Sequence, residues 1–157
     1  MGETRRRVLK FLAAAPLPAC VAAGDDDDSA EPPTPRGPPP VLEEPVPVGN
    51  VSELTPGTLR QVGSERIAVG RDDVGVWALG LTCTHLACNI GDSGFVHWTG
   101  IQCACHGSRF DRDGVVTFGP AVLPLENYAV SVDGDGEVVV DPRVEVAPGT
   151  RTPVGSA

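Results

Sequence analysis

Short runs of apolar and polar residues, separated by turn-forming residues, make up the chain between about residues 46 and 146. Residues 66–70 alternate apolar and polar side chains, and 75–81 form a second apolar run. Residues 95–98 and 115–118 are weaker candidates for strands. Short strands at this spacing predict an all-β domain built from small antiparallel sheets.

Two further candidate strands, 128–132 and 137–140, flank the sequence Asp133-Gly134-Asp135-Gly136. Asp/Gly pairs between β-patterned segments favour a tight turn, so the sequence predicts a β-hairpin here. The two aspartates also resemble part of a calcium loop. The other oxygen ligands of a twelve-residue calcium loop are missing from the segment, which leaves the turn as the interpretation.

The composition narrows both the fold and the choice of partners. The 157 residues include 19 glycines and 16 prolines, and only 4% are aromatic, which favours a small β domain over a helical bundle. A net charge of −9 argues against nucleic acid, because binding phosphates needs a basic face. An acidic surface suits a basic docking partner such as a cationic cytochrome, or serves solubility alone.

Residues 1–20 are interpreted as an export signal and are excluded from the fold. Residues 4–10 (TRRRVLK) resemble the twin-arginine export signal, and an apolar run follows them. Residues 17–20 (LPAC) resemble a bacterial lipobox, which implies lipidation of Cys20. Cleavage near Ala19 or Ala23, or a retained anchor, stays open. We expect a protein exported across the bacterial cytoplasmic membrane and anchored at its periplasmic or extracytoplasmic face.

Three segments follow the export signal. Residues 21–47 hold an aspartate run and many prolines, and such a segment cannot bury a core, so we expect a flexible linker. A proline-rich chain of about 25 residues reaches roughly 75 Å. Residues 48–146 are predicted to form the folded domain, and 147–157 a disordered tail.

The chemistry is concentrated in residues 83–88 (CTHLAC) and 103–108 (CACHGS). Each segment supplies sulfur and imidazole, and both suit an iron–sulfur cluster. In a [2Fe–2S] cluster with two cysteines and two histidines, one iron takes the thiolates and the other takes the imidazoles. Neutral imidazoles remove negative charge and raise the reduction potential to between about −150 and +300 mV.

Two other chemistries use the same residue types. Two cysteines and two histidines also form tetrahedral zinc sites, so a structural zinc domain remains a remote alternative. Cys103 and His106 resemble a nucleophile–base pair, but a role as metal ligands explains both residues more completely. The remaining histidine, His97, is expected on the surface or in packing.

The chain contains five cysteines, an odd number that pairing alone cannot use up. If four of the cysteines and histidines in the two loops are ligands, Cys88 and Cys105 are left, one in each loop. A disulfide between them would clamp the loops together and needs an oxidising compartment, in agreement with export. Cys20, in the lipobox-like sequence, is then the odd cysteine.

The two loops resemble the Rieske iron–sulfur family in their Cys-x-His and Cys-x-x-His sequences, separated by residues 86–102. Residues 119–121 (GPA) resemble the proline loop of that family. The resemblance implies a [2Fe–2S] cluster at the tip of a β domain, bound by four ligands: Cys83, His85, Cys103 and His106. It further implies that Ser108 donates a hydrogen bond to a bridging sulfide.

Three positions depart from the usual pattern of the family. Ala87 replaces a glycine and Ala104 a proline, and both changes affect the stiffness of the loops more than the ligation. Phe110 stands where quinol-oxidising complexes often have a tyrosine that donates to a ligand sulfur. Without that donor we expect a lower potential.

The extra cysteine pair implies the respiratory and photosynthetic branch of the family, in which the chain would transfer one electron at a time in a membrane-associated respiratory chain. It could be the iron–sulfur subunit of a quinol:cytochrome reductase, between quinol or cytochrome b and a c-type cytochrome. It could also be a free-standing lipid-anchored carrier, or the small subunit of an exported molybdenum oxidase such as arsenite oxidase.

Overall fold

The structure is a computed structural model that describes residues 44–155. The predicted export signal at 1–20, the lipidation site Cys20 and nearly all of the linker at 21–47 lie outside the described residues. Within 44–155, the helices are not long and apolar enough to cross a membrane.

The described residues form two antiparallel sheets, which confirms the all-β prediction. The large sheet has the strand order β1-β10-β9-β4-β3-β2 and the small sheet has the order β5-β6-β7-β8. The strands are β1 (Val46–Asn50), β2 (Thr58–Gln61), β3 (Ile67–Arg71), β4 (Val76–Gly80), β5 (Gly94–His97), β6 (Gly100–Cys103), β7 (Arg109–Phe110), β8 (Val116–Phe118), β9 (Asn127–Val132) and β10 (Glu137–Glu145). A 3-10 turn, Val51–Glu53, follows β1, and a short helix, α1 (Ile90–Ser93), precedes β5.

Strand β4 is buried on both faces and separates two hydrophobic cores. Successive side chains of a strand point to opposite faces. Val76 and Ala78 therefore pack into the core of the large sheet. Trp77 and Leu79 point the other way, into the core shared with the small sheet. This second core holds the small sheet against the end of β4, where the first candidate loop begins.

The predicted hairpin at residues 133–136 is confirmed. β9 and β10 pair antiparallel on either side of it. The Asp133 carboxylate accepts hydrogen bonds from the backbone N–H groups of Asp135 and Glu137, both at 2.9 Å. The aspartate thus satisfies the backbone of its own turn, as is typical of this residue at such positions.

Residues 147–155, within the predicted disordered tail at 147–157, are ordered, which corrects that prediction for the described part of the segment. Thr152 pairs with Val76, and their N–H and C=O groups exchange two backbone hydrogen bonds of 2.8 and 2.9 Å. Strands β4 and β9 pair only at Ala78–Tyr128 and Leu79–Asn127. The backbone of Val76 would otherwise be a buried polar group without a partner in the sheet, and this segment supplies one. The ordered part of the chain therefore extends beyond the predicted limits of 48–146.

Candidate metal centre

The first candidate loop leaves the end of β4 and returns to α1. Its two ends are joined by a bridge between Thr82 and Asn89. Inside the loop, the N–H of Cys83 donates to the carbonyl of Cys88 at 2.9 Å, and the N–H of Ala87 donates to the carbonyl of Cys83 at 2.8 Å. These bonds fix the backbone on both sides of His85.

The second candidate loop connects β6 to β7 and repeats the hydrogen bonds of the first. The N–H of Cys103 donates to the carbonyl of Ser108 at 2.9 Å, and the N–H of Gly107 donates to the carbonyl of Cys103 at 3.0 Å. In both loops the bonds join a cysteine to the residues four and five positions later. The two loops are therefore copies of one local structure, each offering sulfur and imidazole.

The fifth residue of each loop has a left-handed backbone. Gly107 has φ +80° and Ala87 has φ +54°. Among the residues that the structure describes, Ala87 is the one residue other than glycine with a positive φ. A Cβ atom is unfavourable in this region, so the alanine strains the first loop. This gives a structural reason for the glycine that the Rieske pattern has at this position.

The two loops bring the four predicted ligands together. The rings of His85 and His106 lie 4.8 Å apart between centroids and meet edge to face at 81°. Cys83 and Cys103 are both buried, and both are free cysteines. His106 is exposed and His85 is half-buried. The sulfurs thus lie on the protein side of the site, and an imidazole lies on the solvent side.

One buried nitrogen atom without a hydrogen-bond partner, together with the donor set of the site, fits a bound cation. His85 Nδ1 is buried and has no hydrogen-bond partner among the described residues. A buried polar atom without a partner costs stability, and coordination to a metal removes that cost. The two buried thiols and the two imidazoles form the donor set that a [2Fe–2S] cluster of the Cys2His2 type requires.

The raised pKa of the Cys103 thiol also suits a site that binds a cation. Burial raises the pKa of its thiol, and the neighbouring Cys83 thiol raises it further, although the backbone N–H groups of Cys105 and His106 oppose the shift. Two thiolates in such a place need a cation beside them. An iron ion held by Cys83 and Cys103 would supply that cation, because thiols lose their protons when they coordinate a metal.

Cys88 and Cys105 form a disulfide across the two loops, which confirms the predicted pairing. Their Cα atoms lie 6.7 Å apart. The sulfur of Cys103 lies within 4.8 Å of both bridged sulfurs, so the bond runs directly beside a predicted ligand. The hydroxyl of Ser93 lies 3.6 Å from the sulfur of Cys105 and is the donor, since a disulfide has no hydrogen to give.

A third loop, residues 119–124, is fastened to both candidate loops. The N–H of Ala121 donates to Ser108 Oγ at 3.0 Å, and Thr84 Oγ1 donates to the carbonyl of Leu123 at 2.7 Å. Ser108 is fully buried. Sequence reasoning identified Ser108 and the Gly119-Pro120-Ala121 loop but missed Thr84. Its partner lies 39 residues away, and no local pattern signals that contact.

The ligand loops and the third loop carry exposed apolar side chains and contain no charged residue. Leu86, Val122 and Leu123 are 64%, 85% and 62% exposed. Residues 82–91, 101–108 and 115–125 contain no aspartate, glutamate, lysine or arginine. In a chain of net charge −9 this end of the domain is therefore distinct from the rest of the surface. Exposed apolar patches of this kind mark docking sites.

Two more predicted positions have clear places in the structure. Phe110 is buried in the same hydrophobic core as Cys83 and Cys103. His97 lies exposed on β5, where its Nδ1 lies 3.1 Å from Thr99 Oγ1. His97 is therefore a surface residue bonded to its own turn, as expected.

A β domain with two matched Cys/His loops, a bridging disulfide and a third covering loop defines a class of iron–sulfur electron carriers. Family comparison agrees, since the model of the Rieske [2Fe-2S] domain matches residues 44–129. This match spans more than half of the chain, and the chain belongs to the Rieske [2Fe–2S] family. It carries a [2Fe–2S] cluster and transfers one electron at a time, which sets aside the zinc alternative.

Several individual proteins resemble this chain. The iron–sulfur subunit 1 of the cytochrome b6-f complex of Synechocystis sp. is 31% identical over 166 residues, covering 94% of this chain and 89% of that protein. The corresponding subunit of Chlorobaculum tepidum is 34% identical over 99 residues, covering 59% of this chain and 51% of that protein. The solved plasma membrane Rieske protein of Synechocystis is 27% identical with a TM-score of 0.48, covering 61% of this chain and 98% of that one.

Proposed function

We propose that Cys83, His85, Cys103 and His106 hold the [2Fe–2S] cluster and that the chain is the iron–sulfur subunit of a quinol:cytochrome reductase. The proposal depends mainly on one observation, the two imidazoles at the edge of an uncharged apolar surface. When bound, such a cluster accepts and releases one electron at a potential between about −150 and +300 mV. Its electron donor would be quinol or cytochrome b, and its acceptor a c-type cytochrome.

The two cysteines and the two histidines would have different roles at the site. The buried Cys83 and Cys103 would keep their end of the cluster away from water. His85 would bind through Nδ1, the buried atom that lacks a partner, which leaves Nε2 as the atom able to carry a proton. His106 is exposed and would meet the electron donor directly. An imidazole at the surface suits a donor such as quinol, which gives up a proton with each electron.

The apolar surface around the histidines would dock on the partner. Leu86, Val122 and Leu123 would be buried there, and the three loops would bring no charged side chain of their own into the contact. The relatives from Synechocystis and Chlorobaculum tepidum are named as subunits of cytochrome b6-f complexes, which supports the choice of complex. We place the domain on the periplasmic or extracytoplasmic face, anchored through Cys20, in the part of the chain that precedes the described residues.

The ligand assignment is tested by a matched pair of histidine variants. His106→Gln should lower the iron content and abolish the visible spectrum, because it removes one of four ligands. His97→Gln should leave both unchanged, since His97 is a histidine of similar exposure on β5. Equal iron content in the two variants would contradict the assignment.

The choice of complex is tested by purifying the full chain from membranes of its native host. Cytochrome b in the purified material would support the reductase, whereas a molybdenum subunit, or the chain alone, would contradict it. A Cys20→Ser variant tests the anchor separately. It should leave the membrane fraction in cells that lack the other subunits, and retention there would contradict lipidation.

A further inference from the structure

Arg151 is a largely buried cation in the C-terminal segment, remote in sequence from the ligand loops. Its side chain is only 9% exposed. Its Nε donates to Asp72 Oδ2 at 3.0 Å, and its Nη2 donates to Asp113 Oδ1. The guanidinium also lies 3.8 Å from the centre of the Trp77 ring. A charge that is buried, paired twice and stacked in this way has one fixed position.

The two carboxylates that bind Arg151 belong to different sheets. Asp72 lies in the turn between β3 and β4 of the large sheet, and Asp113 lies in the turn between β7 and β8 of the small sheet (residues 111–115). A second bond joins the sheets at the same place, where Trp77 Nε1 donates to the carbonyl of Arg112 at 2.9 Å. Arg151 therefore joins the small sheet to the large one.

The β7–β8 turn also accepts hydrogen bonds from residues that directly follow the third loop. Asn127 Nδ2 donates to the carbonyl of Asp113 at 3.2 Å, and the N–H of Leu125 donates to the carbonyl of Gly114 at 2.9 Å. Asn127 and Leu125 are both buried. The chain that leaves the third loop is thus held by the same turn that binds Arg151.

We propose that Arg151 is a positioning residue that holds the third loop closed over the cluster ligands by fixing the β7–β8 turn. The third loop reaches both ligand loops, through Ala121 to Ser108 and through Leu123 to Thr84. The C-terminal segment therefore sets how firmly the metal centre is enclosed. This inference depends on the ligand assignment made under the proposed function.

A continuous series of contacts does not by itself demonstrate coupling. Arg151 provides an internal comparison, because only one of its two carboxylates leads to the third loop. Asp113 lies on the turn that holds Leu125 and Asn127, whereas Asp72 caps its own turn in the large sheet through the N–H groups of Val74 and Gly75. An asparagine at either position keeps the shape of the side chain and removes the charge.

The experiment compares four variants of the full chain carrying its cluster. Arg151→Met and Asp113→Asn break the link to the third loop. Asp72→Asn breaks the other ion pair of Arg151. Arg143→Met is the matched control, because Arg143 pairs with Asp141 at 2.8 Å but is 52% exposed. Amide hydrogen exchange of peptides spanning residues 119–125 is measured well below the unfolding temperature, followed by the rate at which a chelator bleaches the visible absorption.

Arg151→Met and Asp113→Asn should raise exchange in residues 119–125 by about fivefold and speed bleaching by a similar factor, because the loop opens more often. Asp72→Asn and Arg143→Met should change neither rate by more than about twofold. If Arg151→Met does not fold, Asp113→Asn and Asp72→Asn still compare the carboxylate that leads to the third loop with the one that does not.

Two results would overturn the proposal. In the first, exchange and bleaching follow the loss of thermal stability equally in all the variants, which would make Arg151 a general stabilising residue. In the second, neither rate changes in Asp113→Asn. A failure of the ligand assignment is recognised separately, since the unmodified protein would then lack the spectrum of a [2Fe–2S] cluster before any variant is compared.

Discussion

Ala87 is a single residue that holds an unfavourable backbone conformation beside the metal centre. Its φ of +54° is in the left-handed region, which costs a residue with a Cβ atom about 1–2 kcal/mol. Ala87→Gly removes that strain, although glycine gains entropy in the unfolded chain. We expect a net rise of roughly 0.5–1 kcal/mol in the free energy of unfolding, measured by denaturant titration.

Ala104 is the matched control for this prediction. It lies in the second loop and is also exposed, but its φ is not positive. Ala104→Gly should therefore lower the free energy of unfolding or leave it unchanged. Equal effects of the two substitutions would mean that the strain at Ala87 has no measurable cost.

Phe110 stands where a tyrosine hydroxyl would donate to a ligand sulfur, and we expect the missing donor to lower the reduction potential. It is buried in one core with Cys83 and Cys103. We expect Phe110→Tyr to supply a donor to a ligand sulfur, which stabilises the reduced cluster and raises the reduction potential by on the order of tens of millivolts. A redox titration followed by EPR measures the shift. An unchanged or lower potential would contradict the role assigned to this position.

Asp72 contributes stability that depends on pH. Burial raises the pKa of this carboxyl, but the hydrogen bond from Arg151 and those from the backbone N–H groups of Gly75 and Val74 outweigh burial, so its pKa lies below the usual value. A lowered pKa gives stability that is present above the unfolded value of about 3.9 and is lost as the pH falls through the folded value.

The Arg151→Met variant tests this pH dependence. Between about pH 6 and pH 3, its free energy of unfolding should fall less steeply than that of the unmodified protein, because one cause of the lowered pKa is gone. Denaturant titrations at several pH values give the two slopes. Parallel slopes would show that Arg151 does not set the pKa of Asp72.

The strands show which elements the sequence encodes locally. The central strands β3, β4, β9 and β10 follow apolar patterns and were all predictable, as was the hairpin at 133–136. β1, β2, β6 and β7 were not predicted. β7 is only two residues long and exists through its pairing with β6 and β8.

The ligand loops could be predicted in detail because their chemistry is local. Cysteine and histidine spacing within each loop, through its resemblance to the Rieske pattern, predicted the cluster, and the two cysteines left over predicted the disulfide. The contacts that fasten the third loop and the C-terminal segment were missed. They join residues such as Thr84 and Leu123, or Asp72 and Arg151, which lie 39 and 79 positions apart. No pattern within a short window reports such pairs.

The C-terminal segment is the element whose removal should matter most outside the site. A chain that ends at residue 149 loses the pairing of Thr152 with Val76 and the two ion pairs of Arg151. The two ion pairs are partly exposed, so losing each costs less than the about 3–5 kcal/mol of a fully buried pair, and the lost hydrogen bonds add to this. We expect the free energy of unfolding to fall by about 3 kcal/mol or more in thermal or denaturant unfolding. A fall below about 1 kcal/mol would contradict the structural role of this segment.

At the scale of the whole molecule, charge and polarity are divided between the two ends of the domain. The ligand loops and the third loop form an uncharged apolar end that includes the exposed His106. Aspartates and glutamates such as Asp133, Asp135 and Glu137 are exposed at the turn of the large sheet. An apolar end suits a docking contact, and a charged remainder favours solubility.

Pulsed EPR of the reduced full-length protein tests the central claim most directly, because it detects the nitrogen atoms bound to the reduced cluster. We expect nitrogen couplings from two imidazoles, in a protein that contains iron and acid-labile sulfide in equal amounts. The His97→Gln variant should keep both couplings, and replacing His85 or His106 by glutamine should remove the cluster and its signal altogether. A cluster without nitrogen couplings, or a colourless protein that binds zinc, would contradict the assignment.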